Sequence, residues 1–205
     1  MLLPKPRRAL AAAALLTAAS AARAHGAVDG VNSFYAGLLH PFQNLPHLLL
    51  LVGLGIWLGQ RQPLKIGLPM LACAVGAALG LLLTTPLAGP FRVPAPSPGW
   101  LIGAALCVGV LIASSLGAPG WLRAAIAGVA GMAVAFDSGV DGTPPIGTLA
   151  LMLAGTWAII VVLVANVAYY VSLVPRVKWL QIAVRIVGSW LAAASVLVLA
   201  FYLKG

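Results

Sequence analysis

The chain has almost no acidic residues: Asp29, Asp137 and Asp141 are the only carboxylate side chains among its 205 residues. Charged residues of both signs make up 7% of the sequence, far below the level that covers the surface of a soluble domain. This shortage of charge excludes an ordinary soluble protein. The apolar part of the chain also lacks a paired acid and base, or a nucleophile beside a base, so the sequence does not predict an enzyme.

Cysteine is equally scarce, since Cys73 and Cys107 are the only two and both lie in apolar runs without motif spacing. They are interpreted as small packing residues rather than as a disulfide or a thiolate metal site. The 12 basic residues give a net charge of +9, but they are scattered at the ends of apolar segments and form no patch. Their distribution argues against nucleic acid as a partner and indicates membrane topology.

Hydrophobic residues are abundant instead, at 62% of the chain with a mean hydropathy of +1.06. Such a composition indicates an integral membrane protein embedded in the lipid bilayer. Six apolar segments follow residue 24, and most approach the ~20 residues that a helical span needs. None alternates as a barrel strand does, so the predicted fold class is an all-α integral membrane protein with six transmembrane helices. The segments cover residues 45–60, 66–85, 100–116, 121–136, 146–174 and 179–203.

Residues 1–24 have the pattern of a secretory signal peptide. Three basic residues precede an apolar run over 9–19, and Ala-Arg-Ala at 22–24 fits the small-x-small cleavage rule. Cleavage would leave His25 at the N-terminus and residues 25–205 as a single six-helix transmembrane domain. The alternative, an uncleaved first helix, is disfavoured because the apolar run is shorter than a span of about 20 residues.

The loops between the apolar segments predict the orientation in the membrane. The first loop carries Arg61 and Lys65, the third carries Arg123, and the fifth carries further cations. The second loop has only Arg92, and the fourth has no basic residue. The positive-inside rule therefore places the odd loops in the cytoplasm and both mature ends outside, in a bacterial-type inner (cytoplasmic) membrane.

This orientation places every histidine and every carboxylate of the mature chain at the exoplasmic mouth of the bundle. Imidazole and carboxylate are ligands for divalent nickel, cobalt, zinc, copper and manganese, each to a different degree. The sequence therefore predicts a metal site at this mouth. Its candidate ligands are His40, His47, Asp137, Asp141, His25 and Asp29.

His40 and His47 are seven residues apart, close to two turns of a continuous helix. Pro41 and Pro46 each remove a backbone donor, so a broken, proline-interrupted start of the first span is predicted, with Asn44 as a cap. His47 would then lie in the first helical turn, where the helix dipole disfavours imidazolium and leaves a ring able to bind metal. The alternative is that both histidines are interfacial and bonded to loop carbonyls.

The other candidates also have structural alternatives. Asp137 and Asp141 could form a solvated polar turn rather than an ion-attracting mouth. His25 could chelate copper or nickel through its amine and imidazole, or belong to an unliganded terminus. In the fifth apolar segment, Thr156 and Asn166 are candidates for hydrogen bonds between helices or for lining a path.

A run of motifs between residues 24 and 57 resembles the HupE/UreJ family of hydrogenase and urease accessory membrane proteins. The resemblance implies a signal peptide, six spans, a His-Pro-x4-Asp-His start of the first span, and permeation of nickel or sometimes cobalt to supply metalloenzymes. The matching residues are Ala24-His25-Gly26, Phe34-Tyr35-Ala36-Gly37-Leu38-Leu39-His40-Pro41, His47-Leu48-Leu49 and Val52-Gly53-Leu54-Gly55-Ile56-Trp57.

The chain departs from the family pattern at three places. Pro46 stands where the family has an aspartate before the second histidine. Asp137 and Asp141 stand at both histidine positions of the family's His-Gly-x-Ala-His-Gly stretch, and Asn166 stands, in a loose alignment, where the family has a histidine in the fifth span. His40 and His47 alone carry over as identical ligand candidates.

The function expected from the residues and the resemblance is a permease or accessory protein for a divalent metal ion, without a permanently bound cofactor. The resemblance implies nickel or cobalt and metalloenzyme-maturation partners, while copper, zinc and manganese stay open. The chain has no Gly-x4-Gly-Lys-Ser/Thr sequence, so transport would be passive, driven by the membrane potential, or powered by a partner. The alternative is a non-transporting scaffold or accessory subunit of the same fold that has lost metal ligands.

Overall fold

The structure is a computed structural model that describes residues 33–61, 63–94, 97–139, 144–174 and 177–204. The predicted signal peptide and the candidate ligands His25, Asp29 and Asp141 lie outside the described residues. The regular structure of the described part is entirely helical. Its α-helices are α1 (Ser33–Gln43), α2 (Leu45–Gly59), α3 (Gly67–Thr84), α4 (Pro98–Ser114), α5 (Gly120–Asp137), α6 (Ile146–Ser172) and α7 (Lys178–Lys204), and a 3-10 helix (Pro86–Phe91) follows α3.

Each of the six predicted apolar segments forms one helix, in the order α2 to α7. Four of these helices, α3, α5, α6 and α7, are long and apolar enough to cross a membrane. The bent pair α1 and α2 makes a fifth candidate, whereas α4 is apolar but has 17 residues. The structure therefore has four or five candidate spans by length and composition, and six spans stay a prediction.

The first long helix begins at a sharp break, as the prolines predict. The axes of α1 and α2 meet at 84°, and Asn44 between them has an extended backbone with φ −120° and ψ 105°. Pro46 lies in the first turn of α2, where its fixed φ and missing N–H cause no loss. His40 and His47 are consequently on two different helices rather than on one face of a continuous helix.

The short helix α1 continues through Pro41 because a neighbouring helix compensates for the missing donor. Proline has no N–H, so the carbonyl of Gly37, four residues earlier, loses its partner within the helix. The hydroxyl of Thr156 on α6 lies 3.3 Å from this carbonyl and shares its hydrogen between it and the Met152 carbonyl, 3.0 Å away. In an apolar environment a carbonyl without a partner is costly, and this contact fixes α1 against α6.

Glycines let α1 and α6 approach until their backbones touch. A Cβ on Gly37 would meet the carbonyl oxygen of Met152, and a Cβ on Gly155 would meet the carbonyl oxygen of Phe34. Small residues at such crossings are typical of helix association in membranes. The two glycines therefore hold the short helix, and the His40 that it carries, at a fixed place on the bundle.

Helix α2 is the centre of the described bundle. Ten of its 15 residues are buried, and it packs against α4, α5, α6 and α7. By contrast, the outer faces of α6 and α7 expose large apolar side chains such as Val162, Tyr170, Trp190 and Phe201. Extended apolar surface of this kind is unfavourable in water and suits contact with lipid.

Candidate metal site at the helix break

His47 and Asp137 are 90 residues apart in sequence and in direct contact in the structure. His47 is the third residue of α2 and its side chain is 0% exposed. Asp137 is the last residue of α5. His47 Nε2 lies 2.9 Å from Asp137 Oδ2. The packing of α5 beside the start of α2 thus joins one residue from each of the two polar segments that the sequence singled out.

Asn44 completes this contact with its side chain instead of capping α2 with it. It occupies the predicted N-cap position, but its side chain makes no cap hydrogen bond. Its Nδ2 donates to Asp137 Oδ2 at 3.1 Å and lies 3.5 Å from His47 Nε2. Asn44 is therefore the N-cap residue of α2, as predicted, but its side-chain amide reaches the carboxylate of α5 rather than the first turn of its own helix.

The break between α1 and α2 also brings the two histidine rings together. The ring centroids of His40 and His47 are 5.4 Å apart, with 51° between the ring planes. His40 is half-buried at the end of α1, whereas His47 is fully buried. The two rings are close because of the 84° bend between α1 and α2, and not because a seven-residue spacing puts them on one face of a continuous helix.

The hydrogen bond to Asp137 determines which nitrogen of His47 carries the hydrogen. A carboxylate only accepts, so His47 Nε2 donates and Nδ1 carries a lone pair in the neutral ring. His47 Nδ1 is buried and has no hydrogen-bond partner among the described residues, which costs about 1–3 kcal/mol if nothing binds there.

A carboxylate that holds one imidazole nitrogen while the other is bare is the arrangement that orients histidine ligands in metal sites. Within the described ranges, no three His, Cys, Asp or Glu side chains converge closely enough to hold a metal ion. The three remaining candidate ligands, His25, Asp29 and Asp141, are outside those ranges. The described residues thus provide an oriented imidazole and a neighbouring histidine.

The two candidate path residues on α6 have different surroundings. Thr156 is 5% exposed, and its hydroxyl contacts the carbonyls of Gly37 on α1 and Met152 on α6. The contact with Gly37 is the predicted alternative of a hydrogen bond between helices. Asn166 is exposed and donates to the Val162 carbonyl of its own helix at 2.8 Å. A path-lining role for either residue stays a prediction.

Two residues have a structural role that the sequence analysis does not predict. The sequence indicates Asn44 only as a cap, although a polar amide at a helix break beside two histidines is a signal for a ligand-positioning role. It indicates Arg123 only as a topological cation. It is 4% exposed, and its Nη2 donates to the Leu58 carbonyl at 2.6 Å.

Comparison with known proteins gives the family. The family model described as HupE / UreJ protein matches residues 13–198 of the chain. The chain belongs to the HupE/UreJ family. Comparisons with curated proteins and with solved structures give no match.

The resemblance based on residues 24–57 is thereby confirmed, and the match extends it over most of the chain. The HupE/UreJ match and the long apolar helices together indicate a multi-pass membrane protein with a metal-related accessory or permease-type function.

Proposed function

We propose that this HupE/UreJ protein is a permease for a divalent transition-metal ion, which it captures at the break between α1 and α2. The observation that carries the proposal is the buried His47 ring, held by Asp137 at Nε2 and without a hydrogen-bond partner at Nδ1 among the described residues. A buried, oriented imidazole with one bare nitrogen is suited to bind a metal ion. Family membership favours nickel or cobalt, and imidazole binds both.

In this proposal the residues of the mouth have separate roles. His47 Nδ1 is a ligand, and Asp137 orients the ring and adds negative charge. His40, whose ring centroid is 5.4 Å from that of His47, is the second imidazole. His25, Asp29 and Asp141 are the candidates for the remaining ligands, because a metal in such a site needs more than two protein donors.

The helix break supports an ion-handling role. Membrane transporters place their ion and substrate sites at interrupted helices, where the ends of the half-helices contribute partial charges. Here Asp137 at the end of α5 holds His47 in the first turn of α2, with 2.9 Å between Oδ2 and Nε2. Non-helical backbone at membrane depth is tolerated where it is buried in protein or lines a water-filled cavity, which fits an ion site at this break.

The membrane potential is sufficient to drive uptake. With the mouth outside, a potential of about 100 mV, negative inside, favours inward movement of a divalent ion by roughly 4.6 kcal/mol. The chain contains no phosphate-binding loop of its own. Uptake would therefore follow the potential unless a partner protein supplies energy.

We expect the orientation to put the site and both ends of the mature chain outside the cytoplasm, because the basic loops would be inside. Alkaline phosphatase fused to the C-terminus should be active, and green fluorescent protein fused there should be dark. The same reporters inserted beside Gly117, in the α4–α5 loop, should give the opposite pattern. An inactive phosphatase fusion and a bright fluorescent fusion at the C-terminus would show the inverted topology, with the mouth in the cytoplasm.

The proposed activity is tested by the metal content of cells. Cells that produce the wild type should accumulate one of nickel, cobalt, copper, zinc or manganese, measured by elemental mass spectrometry. Cells that produce a His40→Ala, His47→Ala double variant at the same membrane level should contain no more of this metal than cells without the protein. If wild-type, double-variant and empty cells have equal contents of all five metals while the wild type is folded, the permease proposal fails.

The second candidate function is a non-transporting scaffold. It is favoured by the lack of three converging metal ligands within the described part of the chain. In that case the hydrogen bonds among Asn44, His47 and Asp137 only join α2 to α5. The double variant would then change the unfolding temperature of the protein without changing the metal content of the cell.

A further inference from the structure

A cavity of about 540 Å³ lies at the other end of α2. Leu58 follows His47 by 11 residues on this helix, which is about 16 Å along a helix axis. The cavity walls come from the end of α2, the α4–α5 loop, the start of α5, the end of α6 and the start of α7. Its polar lining includes Arg61, Arg123, Gln60, Gln181 and Ser115. A volume in this range is usual for a small-molecule site.

The cavity carries two positive charges. The Nη1 atom of Arg61 donates to the Ala118 carbonyl at 2.8 Å, and Nη2 of Arg123 donates to the Leu58 carbonyl at 2.6 Å. Arg123 is 4% exposed, and both arginines line the same cavity, so two like charges share it. Each guanidinium has five N–H donors, so most of them are not used by the contacts above.

No carboxylate side chain in the described part of the chain neutralises these arginines. Asp137 is the only Asp or Glu there, and it is bound to His47 at the opposite end of α2. A buried charge without a partner is strongly unfavourable, and this penalty applies to Arg123, since Arg61 is exposed. The helix ends contribute partial negative charge through their carbonyls, but only a fraction of one charge each.

We propose that this cavity binds a phosphate-bearing anion through Arg61 and Arg123. The planar guanidinium fork matches the geometry of a phosphate group and forms paired, charge-assisted hydrogen bonds with it. Gln181 and Ser115 add neutral polar groups to the same lining. The phosphate could belong to the headgroup of an anionic lipid or to a soluble molecule, since both present the same chemistry to the arginines.

The cavity is a poor passage for the metal ion of the proposed function. Two arginines without a carboxylate partner in the described part of the chain repel a divalent cation, whereas the mouth at the start of α2 contains a carboxylate and imidazoles. The two ends of α2 therefore favour ligands of opposite charge. The anion site rests on the cavity and its charges alone, and it holds whether or not the protein transports metal.

The test uses the full-length wild type in a neutral detergent. Three probes are titrated separately: short-chain phosphatidylglycerol, short-chain phosphatidylcholine and inorganic phosphate. Binding is measured from the rise in the thermal unfolding midpoint. The variants are Arg61→Gln, Arg123→Lys and the control Arg92→Gln. Arg92 also donates to a carbonyl at a helix end, that of Thr84 at 3.0 Å, but it does not line the cavity.

We expect phosphatidylglycerol or inorganic phosphate to raise the unfolding midpoint more than phosphatidylcholine does. Arg61→Gln should weaken that binding about tenfold, equivalent to ~1.4 kcal/mol, and Arg92→Gln should leave it unchanged. An effect of phosphatidylglycerol alone identifies a lipid headgroup, and an effect of inorganic phosphate identifies a soluble ligand.

Two results would overturn the anion site. One is a wild type that responds to neither phosphate probe beyond its response to phosphatidylcholine. The other is equal weakening by Arg61→Gln and Arg92→Gln, which would indicate general charge attraction. Because Arg61 is exposed, Arg61→Gln should fold even if a change at the buried Arg123 does not.

Discussion

Replacing His47 by glutamine is expected to reduce metal accumulation to the level of empty cells. The glutamine amide can still donate to Asp137, so the contact between α2 and α5 is kept. It offers no imidazole nitrogen, so the proposed ligand is lost. The measurement is the metal content of cells that contain equal amounts of folded wild type or variant in the membrane.

Two further variants separate the ligand from the residue that orients it. Asp137→Asn should weaken metal binding by about 10- to 100-fold, the usual effect of removing a partner of a ligating histidine. Ser195→Ala should leave metal binding unchanged, because this buried hydroxyl donates to the Leu191 carbonyl of its own helix. A His47→Gln variant with wild-type accumulation would remove His47 from the permease mechanism.

Replacing Gly37 by alanine is expected to destabilise the protein by about 1–3 kcal/mol, the usual cost of forcing extra volume into a packed contact. The new Cβ would meet the carbonyl oxygen of Met152 and the backbone nitrogen of Thr156. Backbone atoms cannot rotate away as a flexible side chain can, so α1 must move away from α6. Gly155→Ala should have the same effect from the other side, since its Cβ would meet the Phe34 carbonyl oxygen.

Gly147→Ala is the matched control for this prediction. Gly147 is on α6 as well, but an added Cβ there would have no neighbour within 4 Å. Alanine should be neutral or stabilising by up to about 1 kcal/mol, because it favours the helix. The measurement is the thermal unfolding midpoint in detergent. Equal midpoints for Gly37→Ala and Gly147→Ala would show that close packing of α1 on α6 contributes little.

The helices could be predicted from the sequence because apolar length and loop chemistry are local properties. Each apolar segment forms one helix, and Pro46 marks the start of α2 as its fixed φ and missing N–H predict. The continuation of α1 through Pro41 depends on a residue far away in sequence. The hydroxyl of Thr156 compensates for the lost hydrogen bond at Gly37, and no local pattern carries that information.

The candidate site could be predicted in part. Loop charges suggested that His47 and Asp137 share one end of the bundle, but their 2.9 Å contact depends on how α5 packs beside α2. The side chain of Asn44 had two competing partners, its own helix and the carboxylate of Asp137. The amide donates to the carboxylate of Asp137, because a hydrogen bond to a charged acceptor is stronger than one to a neutral group.

The most direct test of the central claim is equilibrium dialysis of the purified full-length protein against nickel or cobalt, with the bound metal counted by elemental mass spectrometry. The proposal predicts saturable binding of a single metal ion per chain by the wild type and none at the same concentration by His47→Gln. No saturable binding by the folded wild type, or equal binding by both proteins, would contradict a metal site at the break between α1 and α2.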